Sequence, residues 1–275
     1  MDTKNADKTP QKEPLKTKER QFIDPAQSSR GGLGGFLETM MRRSKNLLHI
    51  LLVAPLYAIG CTVIGLAVVP AVMMMRTILQ LTVDSSFFVS SWAIGAGAVA
   101  TIFLTGISMM FVLPFANFLF LFGKRLKPWR GPYYSLEAIR WYIHNGVLYM
   151  LRYSFLEFFT PSPMAVLFYR MMGMRIGRGT IINSTCISDP SLITLGQKVT
   201  IGGSATIVGH YGQGGYLVLA PVEIGDGATI GLRATVMGGA TIGKNARVMA
   251  HSVVLPKTQI PEGETWGGVP AQKIG

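Results

Sequence analysis

Histidine is the residue type in this chain best suited to acid–base chemistry, because its side chain exchanges a proton near neutral pH. The sequence has four histidines, His49, His144, His210 and His251. His210 stands in a glycine- and tyrosine-rich stretch, 209–217, which reads Gly-His-Tyr-Gly-Gln-Gly-Gly-Tyr-Leu. There it could act as a general base that takes a proton from a hydroxyl or amine. A packing role in a loop is the plainer interpretation, and His49 and His144 are assigned no role.

The elements that must position His210 follow a period of six residues. One apolar residue recurs at every sixth position of the most regular stretch: Ile224, Ile230, Val236, Ile242, Val248, Val254, Ile260 and Trp266. Four places after the first six of these stands a small residue: Ala228, Ala234, Ala240, Ala246, Ser252 and Thr258. One hexapeptide gives a short strand and a corner, and three give one triangular coil. The pattern predicts a parallel β-helix over residues 173–275, with the apolar residues inside the prism.

This period is interrupted once on a large scale. Ile224 follows Ile207 by 17 residues where six are expected, so about 11 residues are extra. The extra residues include the stretch 209–217. A loop that leaves a rigid solenoid is a common place for functional residues, and this favours a functional role for His210.

The N-terminal half has the composition of a membrane protein. The whole chain is 49% hydrophobic and 15% charged, with a mean hydropathy of +0.35. Residues 46–75 and 85–123 contain no Asp, Glu, Lys or Arg, and each stretch is long enough to cross a bilayer. We expect about two transmembrane helices within 46–123, the second either one long helix kinked at Pro114 or a pair of short ones. A buried helical hairpin in a soluble protein is the alternative.

Basic residues flank these apolar stretches in a chain whose net charge is +12. They are Arg42, Arg43 and Lys45 before the first stretch, and Lys124, Arg125, Lys127 and Arg130 after the second. By the positive-inside rule both ends lie in the cytoplasm. This predicts a multi-pass protein of the inner (cytoplasmic) membrane, with its C-terminal domain facing the cytoplasm. No nucleic-acid-binding motif accompanies the charge, so we expect no nucleic-acid partner.

Two further segments differ from the predicted spans. Residues 1–45 are rich in Lys, Asp, Glu, Pro and Gly, and are expected to form a disordered basic tail with a flexible glycine joint at 31–35. Residues 124–172 mix Tyr, Trp and Arg around a break at 161–163, and are expected to form amphipathic helices at the membrane surface. A soluble helical cap on the next domain is the alternative for this segment.

Metal and disulfide chemistry are not expected. The C-terminal domain contains only His210 and His251, without a histidine pair at ligand spacing or a Cys/His cluster. Cys61 lies in an apolar stretch and Cys186 in the repeat, so no disulfide framework is expected, and a reducing compartment fits.

Residues 176–275 resemble the hexapeptide-repeat acyltransferases, which include the galactoside, maltose and xenobiotic acetyltransferases. The closing stretch 267–274, Gly-Gly-Val-Pro-Ala-Gln-Lys-Ile, is similar to the family's terminal Gly-x-Pro-Ala-Lys-x-Ile segment, with Gln inserted before Lys. The resemblance implies a left-handed parallel β-helix that forms a homotrimer and takes acetyl-CoA or a related acyl-CoA as donor. The acceptor would be a small-molecule, lipid-linked or saccharide hydroxyl or amine.

The resemblance also implies catalytic residues. In the family a catalytic histidine opens a loop and the coil resumes with an apolar–x–Ile–Gly step, as His210 and residues 221–225 do here. Asp189 matches an aspartate near the acceptor site of some members, and would orient the base or hold the acceptor. A turn residue before Pro190 is an equally plain interpretation of Asp189.

Donor-binding residues are implied in the same way. The pantetheine arm of CoA would lie in the groove between neighbouring prisms, beside the backbone of Leu232 and Ala250. Lys257 would face the nucleotide phosphates. His251 would line this groove or cap a corner of the prism.

The overall layout resembles the C-terminal membrane region of poly-lysine-synthetase-like proteins, down to the Met-Gly-Met-Arg-Ile-Gly stretch at 172–177 that opens the prism. There the module is fused to adenylation and carrier domains, neither of which this sequence contains. We therefore predict a membrane-attached acyltransferase with His210 as general base. An amide-bond-forming module acting on a carrier-bound aminoacyl thioester and a non-catalytic β-helix scaffold remain alternatives. The γ-carbonic anhydrases share the prism but use three zinc-bound histidines, one more than this domain has.

Overall fold

The computed structural model describes residues 27–28, 30–43 and 47–274. Its first element is helix α1, Gly32–Arg43, in place of the disorder and the flexible glycine joint expected there. The side chain of Arg42 folds back on the helix and pairs with Glu38 at 2.7 Å, one turn earlier. Both side chains are buried, which gives this segment the fixed structure that its composition does not predict. The rest of the expected tail lies outside the described residues.

Two long helices follow, α2 (Leu47–Leu81) and α3 (Phe87–Phe120). Helix α3 is continuous through Pro114, so the second apolar stretch is one long helix rather than a pair of short ones. Within these helices, Tyr57–Leu81 and Phe87–Phe120 are long and apolar enough to cross a membrane.

The segment after α3 forms a helical cap on the prism. It contains strand β1 (Trp129–Pro132), helix α4 (Leu136–Arg152), a short 3-10 helix (Leu156–Phe159) and helix α5 (Pro163–Met171). Ser135 starts α4, because its side chain accepts a hydrogen bond from the Ala138 backbone N–H at 3.2 Å. The expected break at 161–163 is the start of α5.

One apolar core runs from α3 through the cap into the prism. Leu113 of α3, Leu148 of α4 and Phe168 of α5 are fully buried in the same cluster as Ile182 in the first coil. The helices therefore close the end of the prism that would otherwise expose its apolar interior. This packing fits the cap alternative for 124–172, whereas the expected position at a membrane surface remains a prediction.

The C-terminal domain is the triangular parallel prism that the six-residue period predicts. The apolar repeat residues from Ile224 to Ile260 point inward and are at most 2% exposed, whereas Trp266 in the last coil is only partly buried. The first face holds β2 (Arg175–Ile176), β5 (Ile193–Leu195), β10 (Val222–Ile224), β13 (Thr241–Ile242) and β16 (Gln259–Ile260). The second holds β3 (Ile181–Ile182), β6 (Thr200–Ile201), β11 (Thr229–Ile230), β14 (Arg247–Val248), β17 (Thr265–Gly267) and β18 (Gln272–Lys273). The third holds β4 (Ile187–Ser188), β7 (Thr206–Val208), β12 (Thr235–Val236) and β15 (Val253–Val254).

The stretch that interrupts the period is a β-hairpin rather than an irregular loop. Strands β8 (His210–Gln213) and β9 (Tyr216–Leu219) pair antiparallel, and β1 adds a third strand beside β9. Gly214 and Gly215 form the two-residue turn with φ angles of 58° and 80°. Hairpin turns of this kind need positive φ at both central residues, which explains the Gly-Gly pair.

Candidate functional site

Asp189 and His210 occupy the same edge of the prism in neighbouring coils. The chain passes this edge, which we call the site edge, when it leaves the third face for the first. Strand pairing aligns Ser188 of β4 with Val208 of β7, so the residues that follow them meet at the edge. Gly209 permits the approach, because a Cβ there would lie 3.0 Å from the Cβ of Asp189. The result is a contact of 2.5 Å between Asp189 Oδ2 and His210 Nδ1.

The Asp189 carboxylate is completely buried and fully engaged. Its Oδ1 accepts hydrogen bonds from Trp141 Nε1 and Asn145 Nδ2, each at 2.7 Å. Its backbone N–H donates to Asn145 Oδ1 at 3.3 Å. Burial by itself would raise the pKa of this carboxyl, but the hydrogen bond and electrostatic attraction of His210, together with the hydrogen bond from Asn145, outweigh burial and hold the pKa below its usual value. Asp189 is therefore an acceptor-only anion at neutral pH.

The orientation of His210 follows from that charge. Because an ionised carboxylate can only accept, Nδ1 of His210 must carry the proton that lies between them. In the neutral ring Nε2 is then left with a free lone pair. The side chain is 24% exposed, and its ring meets Trp141 edge to face at 5.0 Å between centroids. His210 is thus held at Nδ1 by a buried carboxylate while its side chain stays partly exposed, which is compatible with a general base.

Lys257 lies on the same edge, two coils beyond His210. Its backbone N–H donates to the Gly238 carbonyl at 3.2 Å. Gly238 in turn lies against His210, since a Cβ on Gly238 would be 3.0 Å from the backbone nitrogen of His210. The order along the site edge is therefore Asp189, His210, Gly238 and Lys257.

The other two expected donor-binding residues lie elsewhere. Leu232 and Ala250 stand at the edge between the second and third faces, in neighbouring coils. A single chain therefore does not bring them together with His210. His251 follows Ala250 at a corner, where its φ is 59° and its N–H donates to the Leu232 carbonyl at 2.8 Å. This backbone geometry fits the corner alternative for His251.

Trp141 and Asn145 were not predicted from the sequence. They are four residues apart on α4, so they share one face of the helix and reach the same carboxylate oxygen. A polar Asn on an otherwise apolar helix face was the available signal. It could have marked a buried partner, but it could not say which one, because Asp189 is 44 residues away in sequence.

Within the described residues, no group of three or more His, Cys, Asp or Glu side chains could hold a metal ion.

No family model matches the chain. It is 30% identical over 146 residues to Delta-poly-L-ornithine synthetase of Acinetobacter baumannii, a match that covers 53% of this chain and 11% of the synthetase. It is 38% identical over 103 residues to the mitochondrial Gamma carbonic anhydrase 2 of Arabidopsis thaliana, covering 36% of this chain and 33% of that relative. The resemblance to the left-handed β-helix proteins is confirmed. Because 146 residues exceed the length of 173–275, the synthetase match also includes residues outside the prism.

Among solved structures, the chain is similar to a hexapeptide-repeat-containing acetyltransferase from Vibrio cholerae, crystallised with acetyl coenzyme A. The two are 30% identical with a TM-score of 0.35, over 38% of this chain and 60% of that one. The chain thus spans less than two thirds of each of these three proteins. By their names the two sequence relatives are a synthetase and a carbonic anhydrase, so sequence similarity alone does not specify a reaction.

Proposed function

We propose that this chain is a membrane-attached acyltransferase that moves an acyl group from a CoA thioester to a hydroxyl or amine. The observation that supports this most strongly is the buried Asp189–His210 pair on an edge that also carries Lys257. A general base is the one side chain that acyl transfer from a thioester requires, because the thiol is a good leaving group.

The reaction uses His210 twice. Nε2 takes the proton from the acceptor hydroxyl or amine while the acceptor oxygen or nitrogen forms a bond to the thioester carbonyl carbon. The carbonyl π electrons move to oxygen, and the positive charge on the imidazole is stabilised by Asp189. When the tetrahedral intermediate collapses, the carbon–sulfur bond breaks and the imidazolium returns its proton to the leaving thiolate. Base and enzyme are then as they began.

The donor would lie along the site edge. Lys257 would face the phosphates of CoA while the thioester reaches His210. Leu232 and Ala250 lie on another edge, so they would contact the pantetheine arm only if they came from a neighbouring prism. This division favours a homotrimer, with acetyl-CoA or a related acyl-CoA in the groove between two subunits.

Membrane attachment through α2 and α3 is part of the proposal. In the most apolar stretch of each helix, only 22% (α2) and 28% (α3) of the residues are buried, which is unlike a core helix of a soluble protein. Large apolar side chains such as Phe87, Trp92, Phe115 and Phe118 face outward. With basic residues on both flanks, this arrangement fits a multi-pass protein of the inner membrane whose prism faces the cytoplasm. Alkaline extraction should leave the chain with the membranes, and its release would contradict this proposal.

A second candidate is an amide-bond-forming module that takes an aminoacyl thioester as donor. The match to Delta-poly-L-ornithine synthetase favours it, because that match includes residues outside the prism. The same base would serve, with an amine as acceptor. The two candidates differ in donor, so an aminoacyl-pantetheine thioester offered beside acetyl-CoA distinguishes them.

The test is His210→Ala in the full chain, reconstituted in lipid nanodiscs. Release of free thiol from each donor is measured with a panel of sugar and amine acceptors, and products are identified by mass spectrometry. Loss of the general base should lower kcat by about 10²–10⁴-fold. Lys198→Ala is the matched control, because Lys198 is an exposed corner residue with φ of 53° on an edge without site residues. Unchanged turnover in His210→Ala would contradict the role of His210, and a folded wild type that binds no CoA would favour a scaffold.

A further inference from the structure

Helix α4 makes buried polar contacts on two of its sides. Towards the prism, Trp141 and Asn145 donate to Asp189. Towards α3, His144 Nδ1 lies 3.0 Å from Asn117 Oδ1. Because α4 makes buried polar contacts with both the prism and α3, its sliding or rotation would break such contacts and leave buried polar groups unpaired.

On its prism side, α4 provides the hydrogen-bond donors for one of the two oxygens of the Asp189 carboxylate. Both donors to Oδ1 come from this helix, and Oδ2 is left for His210. A buried carboxylate with a single donor would be strongly destabilised, because its second oxygen would have lost water without a replacement. The orientation of Asp189, and with it the direction of His210 Nδ1, therefore depends on two side chains outside the β-helix.

The α3 side of α4 is equally closed. His144 is completely buried and Asn117 is 6% exposed. Burial lowers the pKa of His144 to about 4, so its ring is neutral at physiological pH and its contact with Asn117 is a hydrogen bond between neutral groups. Asn117 lies on a helix that is otherwise long and apolar enough to cross a membrane. A lone amide near the end of such a helix finds its partner in α4.

We propose that Trp141 and Asn145 are positioning residues for the Asp189–His210 pair. We further infer that the Asn117–His144 contact joins α4 to α3, so that the geometry of the base depends on the apolar helices. The positioning role rests on the proposed function for its catalytic meaning. The effect of α4 on the hydrogen bond at His210 Nδ1 does not depend on any reaction.

The proton on His210 Nδ1 gives a direct readout. A full chain labelled with ¹⁵N-histidine gives signals from the ring nitrogens of four histidines. The Nδ1–H that is hydrogen-bonded to Asp189 should give a low-field proton resonance, which is assigned by its loss in His210→Ala. Trp141→Phe removes one donor to Asp189 Oδ1, and Asn145→Leu removes the other donor together with the acceptor of the Asp189 backbone N–H. Each variant keeps a side chain of similar size. Both should shift this resonance or broaden it by exchange. Trp129→Phe is the matched control, because Trp129 packs in the same apolar cluster as Trp141 but lies on β1.

The link to α3 is tested with Asn117→Leu, which removes the partner of His144 without touching the prism. The same His210 resonance should shift in the direction seen for Asn145→Leu, by a smaller amount. A His210 signal that is unchanged in Asn117→Leu would refute the link to α3. The roles of Trp141 and Asn145 would then be decided by Trp141→Phe and Asn145→Leu alone.

Kinetics supply the second readout. Trp141→Phe should lower kcat about 10-fold with little change in KM for the donor, as is usual when a group that orients a functional side chain is lost. In an Asp189→Asn background the same change should cost almost nothing more, because both variants act through one carboxylate. Additive losses would refute the positioning role, as would a His210 resonance that is identical in the wild type, Trp141→Phe and Asn145→Leu. If the resonance shifts as expected but the wild type transfers no acyl group, the proposed function fails and the positioning role stands.

Discussion

Asp189→Asn tests the proposed catalytic pair with the smallest possible change in shape. The carboxamide oxygen would stay where Oδ1 is now, because Trp141 and Asn145 both donate to that position at 2.7 Å. The amide NH₂ would then replace Oδ2 and point a donor at His210 Nδ1. His210 would have to accept there, so its proton would move to Nε2. The opposite amide orientation would set the NH₂ against two donors and is worse.

The expected loss follows from that change of tautomer. With a proton on Nε2, the lone pair of the ring lies on Nδ1, where it cannot take a proton from the hydroxyl or amine substrate. The negative charge that stabilises the imidazolium is gone as well. We expect kcat to fall by about 10²–10⁴-fold, which corresponds to about 3–5 kcal/mol of transition-state stabilisation. Donor binding should not change, because the proposed donor-binding residues Lys257, Leu232 and Ala250 are untouched.

The assay is thiol release under saturating acetyl-CoA with an identified acceptor, alongside calorimetric binding of CoA and a thermal melt. The melt separates a catalytic loss from misfolding, because the substituted side chain is fully buried. A folded variant that binds CoA normally and keeps kcat within about fivefold of the wild type would refute the assignment of Asp189 as the group that sets the tautomer of the base.

Two further predictions concern stability. The pKa of His144 is lowered from 6.5 to about 4, so the unfolded chain takes up this proton first as the pH falls. Stability should therefore decrease by about 3 kcal/mol between pH 6.5 and 4. The lowered pKa of Asp189 adds a loss at more acidic pH, when the folded carboxylate is protonated. Thermal melts in detergent across this range measure the slope, which should be flatter in His144→Leu. Gly209→Ala would bring a Cβ to 2.9 Å from the Cβ of Leu192 and should cost about 1–3 kcal/mol and lower kcat. Gly146→Ala, where a Cβ meets nothing within 4 Å in the middle of α4, should be neutral or stabilising, and a similar loss in both variants would contradict the steric argument.

The prism could be predicted because its signal is local and repeated. Each hexapeptide places its apolar residue inside, so positions such as Ile230 and Ile242 report the same environment again and again. The insertion at 209–217 could be located against that period, although the strand pairing that makes it a hairpin could not. Helix α1 was not expected, because its buried Glu38–Arg42 pair depends on packing rather than on composition.

The sequence by itself determined the architecture of the C-terminal domain, the two long apolar helices and the candidacy of His210. These features depend on periodicity, composition and one interruption of a period, all of which act over a few neighbouring residues. Tertiary structure alone decided that Asp189 meets His210 and that Trp141 and Asn145 hold Asp189. It also placed Leu232 and Ala250 on another edge. The reason is physical: coil stacking and helix packing join residues that are far apart in sequence, and no local pattern records which of them will touch.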